Sequence, residues 1–209
     1  MKMNEYVAEI RNRFMEEYGE AECSLDYENP LQLLIATQLA TQCTDARVNI
    51  VMKDLVKKYK TCEDYANANL DELMNDIRST GFYRNKAKNI IGTCQILLEK
   101  YGGEVPSDME SLTELPGVGR KIANLIRGDV FGIPGIVVDT HCMRLSKRLG
   151  LTKQTEQHRI EQDLVKKIPK DYQTLFCHQL VEHGRKYCQA RTPHCEECCI
   201  GNICRKKLK

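Results

Sequence analysis

The stretch Leu115–Gly119, reading LPGVG, limits what this chain can fold into more than any other. Pro116 cannot extend a preceding helix, because it lacks an N–H and its ring clashes with the turn before it. Gly117 and Gly119 can take backbone angles that other residues avoid. Directly behind them a helical pattern resumes in Lys121, Ile122, Ala123, Asn124, Leu125 and Ile126. The expectation is a tight hairpin between two helices, with bare backbone N–H groups at the start of the second. Such a helix terminus attracts an anion and suits a phosphate. Further on, Ile133–Val138 is apolar with a Pro-Gly break, and it delivers Asp139 to the start of another helix.

The rest of the chain also reads as helical. Tyr6, Ile10 and Phe14 recur every fourth residue. Pro30 opens LQLLIATQLATQ, apolar on most sides and so expected to be buried. Val48, Val51, Met52, Leu55, Val56 and Tyr59 follow the i, i+3, i+4, i+7 template. Leu70, Leu73 and Ile77 mark a short helix ended by Gly81. Ala87, Ile90, Cys94, Leu97 and Tyr101 mark a long one, stopped by Gly102 and Gly103. Ser107 with Glu110 suggests a capping box before the hairpin. Helices are expected around Met143–Leu149, Ile160–Ile168 and from about Asp171 to Tyr187. Ile136–Val138 is the only strand-like run, and it is too short to build a sheet. The expected fold class is all-α.

Composition narrows the function classes. The 209 residues are 42% hydrophobic, enough for a packed core, and no segment approaches the ~20 apolar residues that span a bilayer. The beginning, MKMNEYVAEIRNRF, has no apolar signal region, so export and membrane attachment are not expected. A net charge of +2 says little, but its distribution says more. Residues 1–30 hold three Lys/Arg against eight Asp/Glu, whereas residues 185–209 hold seven against two. The basic end is the better candidate for phosphates, although Arg205–Lys209 alone reads as a solvated charged tail.

Eleven cysteines in a chain without a signal region point to thiols in a reducing compartment and not to disulfides. Four of them stand as Cys188-x6-Cys195-x2-Cys198-x5-Cys204. Four thiolates that close together are a metal site, for zinc or for an iron–sulfur cluster; ligand softness does not choose between them. Zinc ribbons usually carry two C-x2-C knuckles, and this sequence has one. Cys199 follows Cys198 directly and leaves one ambiguity among neighbours. The remaining cysteines are scattered and read mostly as small core fillers.

LPGVGRKIA, followed at a distance by VDTH, resembles the helix-hairpin-helix DNA glycosylases, most closely the endonuclease III branch. The resemblance covers nearly the whole chain. It implies two helical domains with a DNA cleft between them. One is the contiguous segment 24–132, with six helices including the hairpin. The other joins residues 1–23 to 133–209 and carries the metal. The resemblance turns the cysteine spacing into a [4Fe–4S] cluster held by Cys188, Cys195, Cys198 and Cys204, with Cys199 left out. It makes Lys121 the nucleophile and Asp139 its assistant, although aspartate at that place is also a preferred helix N-cap. The hairpin residues Gly117, Val118, Gly119 and Arg120 would grip a DNA phosphate. His141 would face phosphate or serve structure. Arg191, in the loop QARTPH, would touch the backbone, with Lys186 and His194 weaker candidates. Gln42 would fill the hole left by an extruded base, together with Phe82, at a place where the family commonly has leucine.

The implied activity is base-excision repair by a bifunctional glycosylase and abasic-site lyase. Its partner would be duplex DNA containing damaged pyrimidines or abasic sites. The chain would act as a monomer in the cytoplasm, on the nucleoid. Two other readings compete. An adenine mismatch glycosylase would lack the lysine at Lys121, and a non-catalytic DNA-binding module would need neither Lys121 nor Asp139.

Overall fold

The computed structural model describes residues 1–206; Lys207, Leu208 and Lys209, the end of the basic tail, lie outside the described residues. The described residues form eleven α-helices and two short 3₁₀ turns, with no strand among them. None of these helices is long and apolar enough to cross a membrane. In order they are α1 (Met3–Tyr18), α2 (Pro30–Leu39), α3 (Asp45–Lys58), α4 (Cys62–Ala66), α5 (Leu70–Asp76) and α6 (Tyr83–Tyr101). Then come α7 (Met109–Glu114), α8 (Arg120–Phe131), α9 (Thr140–Arg148), α10 (Gln157–Val165) and α11 (Gln173–Lys186). The chain divides into two compact units, Cys23–Gly132 and Met1–Glu22 with Ile133–Lys209.

The first unit is built around α2. Its Leu33, Leu34, Ile35, Ala36 and Leu39 are all fully buried. Each large aliphatic side chain removed from water contributes roughly 2 kcal/mol, so this helix has almost no face to spare for solvent. Helices α3 and α6 pack Val48, Met52, Leu55, Ile90, Cys94 and Leu97 into the same core. The helix starts follow the capping rule: Asn29 accepts from Gln32 N at 3.0 Å, Thr44 from Arg47 N, and Asn69 from Asp71 N and Glu72 N. The helix before the hairpin corrects the sequence reading. Its N-cap is Asp108, which accepts from Ser111 N at 2.8 Å, and not Ser107. The unit also holds α4, a single turn closed by a Thr61–Asp64 capping box, which the apolar pattern did not reveal.

The hairpin is fastened from beneath. The Pro116 carbonyl accepts from Gln38 Nε2 at 2.8 Å and from Thr93 Oγ1 at 3.2 Å, and Gln38 also reaches Thr93 at 2.9 Å. Gln38 and Thr93 are both buried. The Pro116 ring packs over Gly92, where a Cβ would stand 3.4 Å from its Cγ. Leu115 and Val118 bury their side chains in the unit's core. Gly117 turns the chain at φ +75°.

In the second unit, α1 lays Tyr6, Val7, Ile10 and Phe14 inward. Phe14 stacks on Phe176 and lies 4.8 Å from the His183 ring of α11. The Tyr18 hydroxyl and His183 Nδ1 share a 2.7 Å hydrogen bond. Helices α9 and α11 approach closely at Gly184, where a Cβ would come within 2.3 Å of His141 Nδ1. Buried Gln179 ties α11 to the end of α1 through Gly19 O at 2.8 Å, and the Tyr172 hydroxyl donates to its Oε1. The run Ile136–Val138 is buried and is not part of a sheet; Asp139 N bonds back to Val137 O at 3.2 Å.

The two hairpin glycines separate shape from access. Gly117→Ala puts a side chain at positive φ and against Asn89, and should lower stability by about 1–3 kcal/mol in urea unfolding. Gly119 is extended, and a Cβ there meets nothing within 4 Å. Gly119→Ala should therefore unfold close to wild type.

Candidate active site and nucleic-acid interface

Helix α8 begins immediately behind the hairpin, and its first intrahelical bond is Ala123 N to Gly119 O at 3.0 Å. The N–H groups of Arg120, Lys121 and Ile122 precede that bond and have no helical acceptor. Gly117, Gly119, Arg120 and Lys121 are exposed. The helix dipole adds a partial positive charge at this end. Val118 takes a different place from the one expected. It is 5% exposed and its N–H is committed to Leu115 O at 3.0 Å, so it plugs the core and presents no donor outward. Lys121 stands in the first turn of α8, with its amine in solvent.

Asp139 caps α9. Its Oδ1 accepts from Cys142 N at 2.7 Å, and the backbone is extended at φ −94°, as an N-cap requires. One carboxylate oxygen is thus held by the helix, and the residue is half-buried. The cap fixes the carboxylate in place and leaves its second oxygen for other work. His141, in the first turn of α9, shares a hydrogen bond with Arg144 at 3.2 Å between Nδ1 and Nη2.

Gln42 and Phe82 have a feature the sequence did not disclose. Both are non-glycine residues in left-handed backbone, at φ +54° and +50°. Such residues are uncommon, and they concentrate at functional sites. Both side chains are exposed, Phe82 to 63%. A phenyl ring that far into water gains nothing from the core and is available to a ligand.

The four cysteines of the spaced set line one cavity, and His183 lines it with them. Cys199 is not among its described lining residues. Among the described residues, no three His, Cys, Asp or Glu side chains converge on a point that would hold a metal ion. The sulfurs stand around a space instead. Three of them face nitrogens: Arg148 Nη1 donates to Cys188 Sγ at 3.3 Å, Lys206 N donates to Cys204 Sγ at 3.4 Å, and His183 Nε2 shares a 3.5 Å contact with Cys198 Sγ. Burial pushes the Cys204 thiol up. A hydrogen bond with Cys199, then burial, pushes Cys198 up; the same bond, aided by His183 and Tyr18, pulls Cys199 down to about 5.

The sequence did not mark the arginines that hold this loop. Arg148 donates to the carbonyls of Cys188, Gln189 and Ala190, the last two at 2.7 and 2.9 Å. Arg144 adds a bond to Cys188 O at 3.2 Å. Arg13 from α1 donates to Cys199 O at 3.1 Å. Gly201 is required where it is, because a Cβ would stand 2.5 Å from Cys195 O and 3.1 Å from Cys198 O. His194 N bonds back to Tyr187 O at 2.9 Å, which closes the loop and leaves Arg191 exposed on it.

Residues 35–170, spanning the hairpin, Lys121 and Asp139, match the HhH-GPD superfamily of base excision DNA repair proteins. The chain is 47% identical to endonuclease III of Bacillus subtilis over 92% of its length and 88% of that protein. It is 38% identical to endonuclease III of Escherichia coli K12 over 96% of its length and 95% of that protein. The chain belongs to the endonuclease III family.

Two solved endonuclease III structures align with this family member over nearly the whole chain. A non-covalent endonuclease III–DNA complex matches at TM-score 0.93 and 43% identity, covering 99% of this chain and 97% of that one. A trapped endonuclease III–DNA covalent intermediate matches at TM-score 0.90 and 44% identity, covering 96% of each. The all-helical architecture and the hairpin are thus those of the endonuclease III family.

The cap at Asp139 can be separated from its charge. Asparagine caps as well as aspartate does, whereas alanine does not. Asp139→Ala should cost about 1 kcal/mol in denaturant unfolding, and Asp139→Asn only a few tenths. Equal losses in the two variants would show that the carboxylate stabilises the fold through its charge and not through the cap.

Proposed function

We infer that this chain is a base-excision repair enzyme, a bifunctional DNA glycosylase and abasic-site lyase that removes oxidised pyrimidines from duplex DNA. The observation that carries the reading is the exposed Lys121 amine in the first turn of α8, directly behind the hairpin that opens that helix. The endonuclease III relatives, and the neighbour caught as a covalent intermediate with DNA, support nucleophilic catalysis.

The hairpin N–H groups and Arg120 hold a backbone phosphate, with Arg191 and His141 as further phosphate contacts. Lys121, unprotonated, attacks C1′ of the damaged nucleotide. Its N–C bond forms as the glycosidic bond breaks, and the base leaves with the bonding electrons and takes up a proton. Sugar ring opening gives an imine. Loss of the acidified C2′ proton then expels the 3′ phosphate, and the strand breaks by β-elimination. Water later returns the free amine. Asp139 stabilises the positive charge that builds on the sugar as the base departs. Extruding the damaged nucleotide costs a few kcal/mol of lost stacking. Gln42 and Phe82 fill the gap; their exposure and left-handed backbone support that role.

We assign a [4Fe–4S] cluster to the cysteine cavity, with Cys188, Cys195, Cys198 and Cys204 as ligands. Four sulfurs around a space, with N–H donors on two of them and the His183 ring against a third, fit a cluster that fills the space. When bound, the cluster cross-links the loop and holds its phosphate-binding face rigid. We take the enzyme to work as a monomer. Its DNA substrate and reduced thiols suit the cytoplasm, on the nucleoid.

Purified protein should be yellow-brown, with about four irons per chain. Cys199→Ser should keep the colour and Cys198→Ser should lose it; the reverse would move the ligand to Cys199. On duplexes carrying single lesions, oxidised pyrimidines should be excised and the strand cut, with undamaged duplex left intact. Asp139→Asn should release base at least tenfold more slowly, an order-of-magnitude expectation for removing one electrostatic contact to the transition state. It should still cut a preformed abasic site. Equal excision of all lesion classes would overturn the substrate assignment.

A further inference from the structure

Lys86 lies in the first turn of α6 and is 5% exposed. Its ammonium donates to two carbonyls, Leu39 O and Thr80 O, each at 2.8 Å. Leu39 ends α2, where carbonyls lack helical partners. Three residues further on is Gln42. Thr80 ends the 3₁₀ turn Arg78–Thr80, and two residues further on is Phe82. One buried cation thus fastens two short loops, and each loop runs into an exposed side chain on left-handed backbone.

A lysine in this position is costly. Burial disfavours its charge and pulls its pKa down, with only Cys43 opposing. An apolar side chain would avoid that cost but would leave two buried carbonyls without donors. Thr80 and Leu39 belong to segments separated by the whole of α3, α4 and α5, so the ammonium is a direct bridge between them.

We propose that Lys86 is a positioning residue for lesion extrusion: by holding the Leu39 and Thr80 carbonyls on one ammonium, it sets the spacing of Gln42 and Phe82. The proposal rests on the reading that Gln42 and Phe82 fill the gap in the duplex. The energy recovered by filling that gap depends on both side chains entering together. Small misplacements at a reacting geometry are expensive.

The test compares two rates for each variant, because only one of them requires a base to leave a stack. The first is single-turnover base release from a duplex carrying an oxidised pyrimidine. The second is borohydride trapping on a single-stranded abasic oligonucleotide. Lys86→Met keeps length and removes the donor; it should lower the ratio of the first rate to the second by roughly tenfold or more. The fluorescence rise of a 2-aminopurine beside the lesion, which reports unstacking, should fall with it. Lys86→Arg should restore part of both. In a Gln42→Ala/Phe82→Ala background, Lys86→Met should lower the ratio no further. If Lys86→Met proves insoluble, Lys86→Gln, which keeps one donor group, serves in the same comparison.

A wild-type ratio in Lys86→Met, with the paired alanines lowering it, would overturn the proposal alone. So would equal losses in both rates, which would mean a purely structural lysine, or a further fall in the double-alanine background. A wild-type ratio in the paired alanines would overturn the gap-filling reading itself, and the role of Lys86 with it.

Discussion

The Pro116 carbonyl is held by two buried side chains, Gln38 from α2 and Thr93 from α6. That small triangle of hydrogen bonds carries the hairpin. Without it the loop would rest on Leu115 and Val118 alone, and apolar contacts do not fix the direction of an N–H group. With it, the first turn of α8 is tied to the buried half of α2, Leu33–Leu39. A phosphate site needs its donors preorganised, since donors that must rearrange give back what they gain. A phosphate bound as proposed would meet donors anchored to the buried core around α2.

The second unit solves a similar problem by other means. The loop Cys188–Cys204 has no helix or sheet to hold its carbonyls. Arg148 and Arg144 from α9 take three of them at one end, and Arg13 from α1 takes Cys199 O near the other. Guanidinium groups present several donors in a fixed fork, which suits a run of successive carbonyls. The cysteines are thus gathered before any cofactor is considered, and a cluster would lock a loop already shaped by protein. Asp139 caps α9 and Arg148 ends it, so the aspartate proposed for catalysis and the anchor of the cysteine loop are set by the same helix.

Local chemistry was legible in the sequence. Gly81, Gly102 and Gly117 stand at positive φ where turns were expected, and Asp139 is an N-cap as its residue type suggested. The four-cysteine spacing marked one stretch of chain, and in the structure all four line one cavity. What the sequence hid depends on distance or on rule-breaking. Gln38 and Thr93 lie 78 and 23 residues from Pro116, and nothing in their neighbourhood marks them as its partners. Lys86 reads as an ordinary surface lysine, because no pattern announces a buried ammonium. Gln42 and Phe82 adopt backbone that statistics assign to glycine. Ser107 and Asp108 are adjacent and both cap well, so pattern alone could not choose between them; the Ser111 N–H did.

The central claim is that the Lys121 amine becomes covalently bound to the sugar. Borohydride added during turnover on an abasic-site duplex should trap a stable protein–DNA adduct, and proteolysis with mass spectrometry should place it on the α8 peptide that contains Lys121. Lys121→Gln should bind the same duplex and give no adduct. An adduct of normal yield from Lys121→Gln, or one mapped to another amine such as the N-terminus, would contradict the account.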